Sequence, residues 1–241
     1  MDNAKSAEEI LRTYQKEREE RLARNAAYAA KGVGFVDLAQ AYIEEGVEIG
    51  AGTVIGPCVV LKGKTVIGKN CTVGQNSRLE DAVIADGVTI ESSVILESQI
   101  GEGTTVGPFA YIRPDCRIGK NCRVGDYVEI KNSSLGDGTK ASHLTYIGDS
   151  DVGAGVNLGC GVVFVNYDGS KKYRSVVKDG AFIGCNVNLF SPVTVEEKAY
   201  IAAGTTVTGD VAAGSLHVGR AKGKTVEGWV ERRGLLDKTK K

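Results

Sequence analysis

The sequence predicts an all-β fold, a left-handed parallel β-helix built from hexapeptide repeats. An aliphatic residue returns at nearly every sixth position from Val47 to Val211, usually followed directly by glycine. The composition agrees, because 32 glycines against 4 prolines and 1 methionine suit repeated tight turns better than a core of large side chains. A fixed short period is typical of a solenoid, in which each unit buries its apolar face against its neighbours.

Three segments follow from this rhythm. We expect a helix and connector over residues 1–46, the β-helix domain over 47–211, and an irregular basic tail over 212–241. Three hexapeptides form one triangular coil, so the repeats predict about nine coils and a prism about 40 Å tall. The aliphatic-glycine pairs that set the phase include Ile49-Gly50, Ile55-Gly56, Ile67-Gly68, Val73-Gly74, Ile118-Gly119, Val124-Gly125, Ile147-Gly148, Val152-Gly153, Leu158-Gly159 and Ile183-Gly184.

The short N-terminal helix is predicted from its two ends. Ser6 followed by Glu9 is a capping box, the run Glu8–Lys31 contains no proline or glycine, and Gly32 supplies the stop. Its apolar face is interrupted, so we expect the helix to pack on another surface instead of standing alone.

Composition narrows the class of function. The 30 basic and 30 acidic residues cancel, which gives no indication of binding to nucleic acid or to a membrane surface. Neither a signal peptide nor a membrane span is visible, so we expect a cytoplasmic protein. Cys71, Cys116 and Cys122 each lie two residues before a repeat aliphatic, which predicts inward-facing core thiols and neither disulfides nor a zinc site.

The longest interruption of the repeats lies between Phe164 and Val176, and His143 precedes it. A neutral imidazole can take a proton from an attacking nucleophile. A lone histidine is more often structural, but Tyr146, Asn157 and the polar loop that follows favour a catalytic role. His217 lacks such a setting, and we expect it to be structural or solvated.

Three basic residues are candidates for an anionic ligand: Arg113, Lys131 and, in the loop, Lys172. Arg113 and Lys131 are separated by the length of one coil, so they should stack at one corner, where two cations bind a phosphate well. The flat faces of a prism offer no deep pocket. We therefore expect a homo-oligomer, most simply three-fold, in which a neighbouring subunit or the loop completes the site.

At these residues the chain resembles the carboxy-terminal acetyltransferase domain of the bifunctional GlmU family of hexapeptide-repeat acyltransferases. The stretches that carry the resemblance are Ile112-Arg113-Pro114, Glu129-Ile130-Lys131, His143-Leu144-Thr145-Tyr146-Ile147-Gly148-Asp149, Asn166-Tyr167-Asp168-Gly169, Pro192-Val193-Thr194-Val195, Ala202-Ala203-Gly204-Thr205-Thr206-Val207-Thr208 and Glu227-Gly228-Trp229.

The resemblance implies acetyl transfer from acetyl-CoA to the 2-amino group of glucosamine 1-phosphate, without a metal, by a homotrimer. It makes His143 the general base, and it assigns the sugar phosphate to Arg113 and Lys131 and the sugar to Tyr146 and Asn157. Lys172 would join the sugar site, supplied across the subunit interface. The implied acetyl-CoA contacts are Cys160, Asn166, Tyr167, Cys185, Ala203 and Arg220, where the family commonly has alanine and serine in place of Cys160 and Cys185.

Only a short helix is predicted before the repeats, so we expect no uridylyltransferase activity and a separate uridylyltransferase as a possible partner. Two alternatives stay open: an N-acetyltransferase for another amino sugar or nucleotide sugar, and a non-catalytic partner of a nucleotidyltransferase. A carbonic anhydrase on the same prism is excluded, because it needs three histidines on zinc and the chain has two.

Overall fold

A long run of short strands fills most of the structure, a computed structural model that describes residues 6–219 and 221–235. Helix α1 (Ala7–Ala29) precedes the strands, a 3₁₀ turn (Leu38–Gln40) interrupts the first coil, and helix α2 (Trp229–Arg232) lies in the tail. None of the described helices combines the length and the apolar character that crossing a membrane requires.

The described strands are, in chain order, β1 (Gly34–Phe35), β2 (Tyr42–Ile43), β3 (Glu48–Ile49), β4 (Val54–Ile55), β5 (Val60–Lys62), β6 (Val66–Ile67), β7 (Thr72–Val73), β8 (Arg78–Glu80), β9 (Val83–Ile84), β10 (Thr89–Ile90), β11 (Val94–Leu96), β12 (Gln99–Ile100), β13 (Thr105–Val106), β14 (Tyr111–Ile112), β15 (Arg117–Ile118), β16 (Arg123–Asp126), β17 (Glu129–Lys131), β18 (Ser134–Leu135), β19 (Lys140–His143), β20 (Tyr146–Gly148), β21 (Ser150–Val152), β22 (Asn157–Leu158), β23 (Val163–Val165), β24 (Ser175–Val177), β25 (Phe182–Ile183), β26 (Asn188–Phe190), β27 (Thr194–Val195), β28 (Tyr200–Ile201), β29 (Thr206–Val207) and β30 (Leu216–His217).

Every third strand joins the same parallel sheet. Among the described residues, sheet A has 11 strands and starts at β1, sheet B has 10 and starts at β2, and sheet C has 9 and starts at β3. Three faces wound about ten times make a parallel β-helix, which confirms the predicted fold class. The described strands extend beyond the predicted bounds of the repeats, 47–211, because β1 lies before residue 47 and β30 lies after residue 211.

The core is a column of inward aliphatic residues, one from nearly every strand, as in Ile55, Ile95 and Ile147, which are fully buried. Removing such a side chain from water contributes about 1.5–3 kcal/mol. The three cysteines expected to face inward do so, with 1–2% of their surface exposed. Each coil therefore repeats the same apolar layer, and the outer face and corners are left to carry chemistry.

Helix α1 closes the first coil. Its capping box forms as predicted, with Ser6 Oγ accepting from the Glu9 backbone and Glu9 Oε2 accepting from the Ser6 backbone. Near its carboxyl end, three side chains donate to backbone oxygens of the first coil: Arg24 to Ile43 (2.8 Å), Asn25 to Leu38 and Ala41 (2.7 and 2.9 Å), and Tyr28 to Val47 (2.6 Å). The helix thus packs on the end of the solenoid, while its first half is exposed.

Candidate active site

The corner between sheets A and B stacks chemically distinct residues on successive coils. Asp126 pairs with His143 in the register of β16 and β19. The registers of the next strands continue this column through Cys160, Cys185 and Ala203. The candidate base and three of the implied acetyl-CoA contacts therefore follow one edge of the prism.

His143 is held by a carboxylate. Its Nδ1 lies 2.6 Å from Asp126 Oδ1, and the imidazole is 56% exposed. The hydrogen bond from His143 is the main reason why the pKa of Asp126 lies below its ordinary value. An ionised carboxylate only accepts, so Nδ1 carries the proton and Nε2 keeps its lone pair free. That tautomer is the one that a general base on the open side requires.

The two cysteines on this column differ from the core thiols. Cys160 is half-buried and Cys185 is exposed, and neither is in a disulfide. Asn186, which follows Cys185, donates its backbone N–H to the backbone oxygen of Cys160 at 2.8 Å. This hydrogen bond joins the two coils that carry Cys160 and Cys185. Both thiols therefore line the open edge beyond His143.

On sheet B, Arg113 follows β14 and stacks on Lys131 of β17, one coil later, as the sequence spacing predicts. Each cation has an acidic neighbour. Arg113 Nη1 lies 2.9 Å from Glu129 Oε1, and the hydrogen bond from Glu129 raises the pKa of Arg113. Lys131 Nζ lies 3.7 Å from Asp149 Oδ1.

At the corner between sheets B and C, three polar side chains form a ladder across successive coils. Asn132 Nδ2 donates to Asp149 Oδ1 at 2.6 Å, and Asn166 Nδ2 donates to Asp149 Oδ2 at 2.5 Å. Burial of Asp149 opposes its ionisation. The two amide hydrogen bonds, with the charges of Lys131 and Lys172, outweigh that cost and hold its pKa below the ordinary value.

Lys172 belongs to the same cluster. Its pKa is lowered, chiefly by the neighbouring ammonium group of Lys131. Lys131 pairs with Asp149, and Lys172 lies close enough to feel the charge of both, so the cluster of two lysines and one carboxylate has one positive charge in excess and suits an anion. Within this one chain Lys172 already lies beside Lys131, and its supply across a subunit interface stays a prediction.

The loop between β23 and β24 is an ordered turn. Tyr167 and Lys172 form an antiparallel bridge, and Asp168 Oδ1 accepts from the backbone of Ser170 and Lys171 at 2.7 and 2.6 Å. These two bonds hold the pKa of Asp168 below its ordinary value. The turn therefore presents Tyr167 and Lys172 in a fixed relation to each other.

Arg174 ties the end of the loop to the prism. Its guanidinium bonds both oxygens of Asp151 at 2.6 Å and donates to the backbone oxygens of Asn132 and Ser150 at 3.0 and 3.3 Å. A bidentate fork of this kind restricts orientation as well as distance. The loop exit is therefore fixed against two preceding coils.

Gly148 makes room where the loop meets sheet B. A Cβ at this position would overlap Tyr146 Oη and lie 2.7 Å from Asn166 Nδ2. Without it, Tyr146 Oη approaches Asn166 Nδ2 to 3.5 Å. The glycine of the Ile147-Gly148-Asp149 stretch is thus needed for Tyr146 and Asn166 to meet.

The remaining predicted residues lie elsewhere. Asn157 is on sheet A, in register with Lys140 and Phe182, and is not among the sheet B groups. Arg220 lies outside the described residues. His217 ends sheet A in the position above the buried Ile201, where it covers the core. No group of three or more potential ligands among the described His, Cys, Asp and Glu side chains is arranged to hold a metal ion.

Four residues that organise this region were not predicted to be site residues, although two of them stand in the stretches that carry the resemblance. They are Asp126, Glu129, Asp149 and Arg174, and each is the charged partner of a residue or loop already singled out. A search for acids one coil away from each candidate cation would have found the first three.

Comparison with known proteins identifies relatives over most of the chain. The family model of the EIF2B subunit epsilon LbH domain matches residues 24–126. The bifunctional protein GlmU of Clostridioides difficile (strain 630) is 50% identical over 213 residues, which are 88% of this chain and 46% of that protein. GlmU of Clostridium botulinum (strain 657 / Type Ba4) is 55% identical over 214 residues, 89% of this chain and 47% of that protein. The chain thus spans about half the length of these relatives.

A solved structure shows the same fold at lower identity. LpxA, a UDP-N-acetylglucosamine acyltransferase from Bacteroides fragilis 9343, superposes with a TM-score of 0.55 at 19% identity. The match covers 73% of this chain and 69% of that one. At this identity the likeness concerns the architecture alone.

Proposed function

We propose that this chain, which is similar to GlmU over 88% of its length, is a hexapeptide-repeat acyltransferase, and specifically a glucosamine-1-phosphate N-acetyltransferase. In this proposal acetyl-CoA is the acyl donor, the 2-amino group of the sugar is the acceptor, and the reaction takes place in the cytoplasm. The observation that carries the proposal is the 2.6 Å contact between His143 Nδ1 and Asp126 Oδ1, from which we infer a tautomer with Nε2 free.

The reaction balances with His143 as the only proton carrier. Nε2 accepts a proton from the amine as its nitrogen bonds to the thioester carbonyl carbon, and the tetrahedral intermediate collapses as the carbon–sulfur bond breaks. The imidazolium then returns the proton to the departing thiolate. A positioned base contributes about 10²–10⁴-fold, and the alignment of two bound substrates contributes more.

Charge supports a sugar phosphate as the acceptor. The cluster of two lysines and one carboxylate leaves one positive charge beside Arg113 and its partner Glu129. Arg113 offers a planar fork and the lysines offer point charges, a combination suited to phosphate. Tyr146 lies on the same face and would contact the sugar.

The donor would follow the column that begins at His143. Cys160, Cys185 and Ala203 continue this edge on successive coils, and Asn166 and Tyr167 lie at the loop. We assign acetyl-CoA to these residues and to Arg220. Small side chains along the edge leave a shallow path for an extended cofactor.

The placement of Asn157 supports a homotrimer. Asn157 lies on sheet A and Lys131 on sheet B, so one chain does not bring its whole predicted sugar site together. A groove between sheet A of one copy and sheet B of the next would do so, and a three-fold assembly repeats that groove without an open end. In this proposal uridylyl transfer to the product is the task of a separate domain or protein.

The test is the rate of CoA release from acetyl-CoA with glucosamine 1-phosphate, for the native chain and His143→Ala. We expect sugar-dependent release that falls by about 10²-fold or more in the variant. Release with a different amino sugar only would move the function to another N-acetyltransferase. A folded protein that is inactive on all amino sugars would favour a non-catalytic partner of a nucleotidyltransferase.

A further inference from the structure

Asp149 is the one charged side chain that is buried among the described residues, at 6% exposure. Isolated burial of a carboxylate is costly, and exchange of a buried ionic group for apolar residues is often neutral or stabilising. The equivalent corner positions of three earlier coils also hold acids, Asp81, Glu97 and Asp115, but those three are exposed, whereas Asp149 is taken out of water. Its presence beside the candidate site therefore calls for a reason other than stability.

A carboxylate differs from every neutral substitute in one respect, which is that both of its oxygens accept and neither donates. Asn132 and Asn166 lie on opposite sides of Asp149 and both donate their Nδ2 groups to it. An amide at position 149 has a single oxygen. It would accept from one asparagine, and the other would have to turn its own oxygen inward.

The orientation of the Asn166 side-chain amide determines whether a bound ligand contacts its NH₂ group or its carbonyl oxygen. With Nδ2 turned toward Asp149, Oδ1 faces the other way. It accepts no hydrogen bond from the described residues, and it is not among their fully buried atoms without a partner, so it keeps some contact with solvent although Asn166 as a whole is 7% exposed. The site therefore offers a carbonyl oxygen at this point, which is complementary to an N–H donor.

We infer that Asp149 is a positioning residue that holds Asn166 with its carbonyl oxygen outward to accept an N–H of the attacking amine. This inference rests on the proposed function, and it gives Asn166, assigned there to acetyl-CoA, a contact with the acceptor amine as well. Because His143 ends a strand of sheet A and Asn166 follows a strand of sheet B, it also requires the proposed groove between two copies. An amine held by its N–H directs its lone pair away from that acceptor, as attack on a thioester requires. The same acceptor disfavours a ligand that presents an oxygen acceptor there.

The residues around Asp149 determine how the side-chain amides will be oriented in the variant Asp149→Asn. Lys131 Nζ lies on the Oδ1 side, where Asn132 donates. In Asp149→Asn the carbonyl of the new amide will stay on that side, because it accepts from Asn132 and faces the ammonium group. Asn166 must then turn and present its NH₂ group outward, where it donates to the lone pair of the amine and withholds that pair from the thioester.

The test is steady-state kinetics of Asp149→Asn with glucosamine 1-phosphate and acetyl-CoA. We expect kcat to fall about 10- to 100-fold, the range that corresponds to hydrogen bonds involving charged groups. The KM for the sugar phosphate should stay constant or fall, because the two lysines lose their shared counter-charge. A loss of folded protein alone would lower kcat without lowering KM. A kcat within about threefold of the native value would overturn the inference.

Asn132→Ala is the matched control. It removes the other amide hydrogen bond to the same carboxylate but leaves Asn166 in place. We expect a lower melting temperature and a kcat within about threefold of the native chain. An equal loss of kcat in both variants would show that Asp149 acts through stability only, and the inference would fail.

The double variant Asp149→Asn/Asn166→Asp, in which the two side chains are exchanged, tests the positioning role of Asp149 if the single variant does not fold. Here Asn132 and residue 166 can both be satisfied, and residue 166 again presents an acceptor. We expect kcat to recover at least about tenfold over Asp149→Asn, or to lie within about tenfold of native. A folded but inactive exchanged pair contradicts the inference. Absence of activity in the native chain would instead refute the proposed function.

Discussion

His143 and Asp126 lie on successive coils with the imidazole Nδ1 2.6 Å from the carboxylate Oδ1. The pair fixes both the plane of the ring and the nitrogen that carries the proton. Because the corner lies at the surface, the opposite nitrogen remains open to a substrate.

Removing this carboxylate should impair chemistry more than binding. In Asp126→Ala the imidazole loses its orientation and its tautomer, so we expect kcat to fall about 10- to 100-fold while the KM for acetyl-CoA changes little. Glu102→Ala, which breaks an exposed ion pair with Lys120, serves as the control and should match the native chain. An unaltered kcat in Asp126→Ala would contradict the orienting role.

Neutralising either lysine beside Asp149 should weaken the binding of the sugar phosphate. Lys131→Met and Lys172→Met each cancel the excess positive charge, so we expect the KM for glucosamine 1-phosphate to rise about tenfold or more. Added salt should raise the native KM and affect the variants less. Lys178→Met, an exposed lysine after β24, is the control, and a KM effect of equal size there would refute a local site.

Acid should destabilise the chain through Asp151. Its pKa lies below the ordinary value, chiefly because of the hydrogen bonds from Arg174. A carboxylate with a lowered folded pKa contributes stability above its unfolded pKa of about 3.9, and loses it as pH falls through the folded value. Melting temperatures should therefore be flat from about pH 6 to 4.5 and drop below about pH 4.

Asp151→Asn tests the origin of that drop. The variant should melt lower at pH 6 and show a shallower acid decline, because it no longer gains a proton on unfolding. Glu19→Gln, on the exposed face of α1, should retain the native profile. Identical acid slopes in the native chain and Asp151→Asn would assign the decline to other carboxyls.

Alkylation should separate the six cysteines into two sets. Burial raises the pKa of the Cys71, Cys116 and Cys122 thiols, so little reactive thiolate forms there. Mass spectrometry after brief iodoacetamide treatment should find label only on the accessible thiols, Cys58, Cys160 and Cys185. Acetyl-CoA should protect the last two and leave Cys58 reactive. Equal protection of Cys58 would argue against a donor site on the His143 edge.

The sequence predicted the parts of this molecule that depend on periodicity. Inward aliphatics repeat because every coil buries the same layer, so the sheets, the buried thiols and the stacking of Arg113 on Lys131 follow from counting. The capping box at Ser6 is equally local. Residues 34–46 were not predicted to belong to the repeats, because a 3₁₀ turn replaces part of a repeat there.

Side-chain pairing across coils was not predictable in the same way. Arg113 and Lys131 are 18 positions apart, whereas Asp126 and His143 are 17 apart, because turns absorb single-residue slips. Where a slip occurs depends on which residues adopt a positive φ at each corner, as Asp149 and Asn132 do. Periodicity alone therefore could not show which acid faces His143 or Lys131.

The hydrogen bonds from α1 to the first coil have a consequence for the length of the whole stack. Stacked equivalent coils can in principle be extended without limit, because the outermost coil always presents a row of unpaired backbone carbonyl oxygens to which another coil could bind. Arg24, Asn25 and Tyr28 occupy that row with donors that belong to a helix and cannot be extended as a strand. Growth or end-to-end joining at this face would require the helix to be displaced, so α1 keeps each molecule a separate particle on that side.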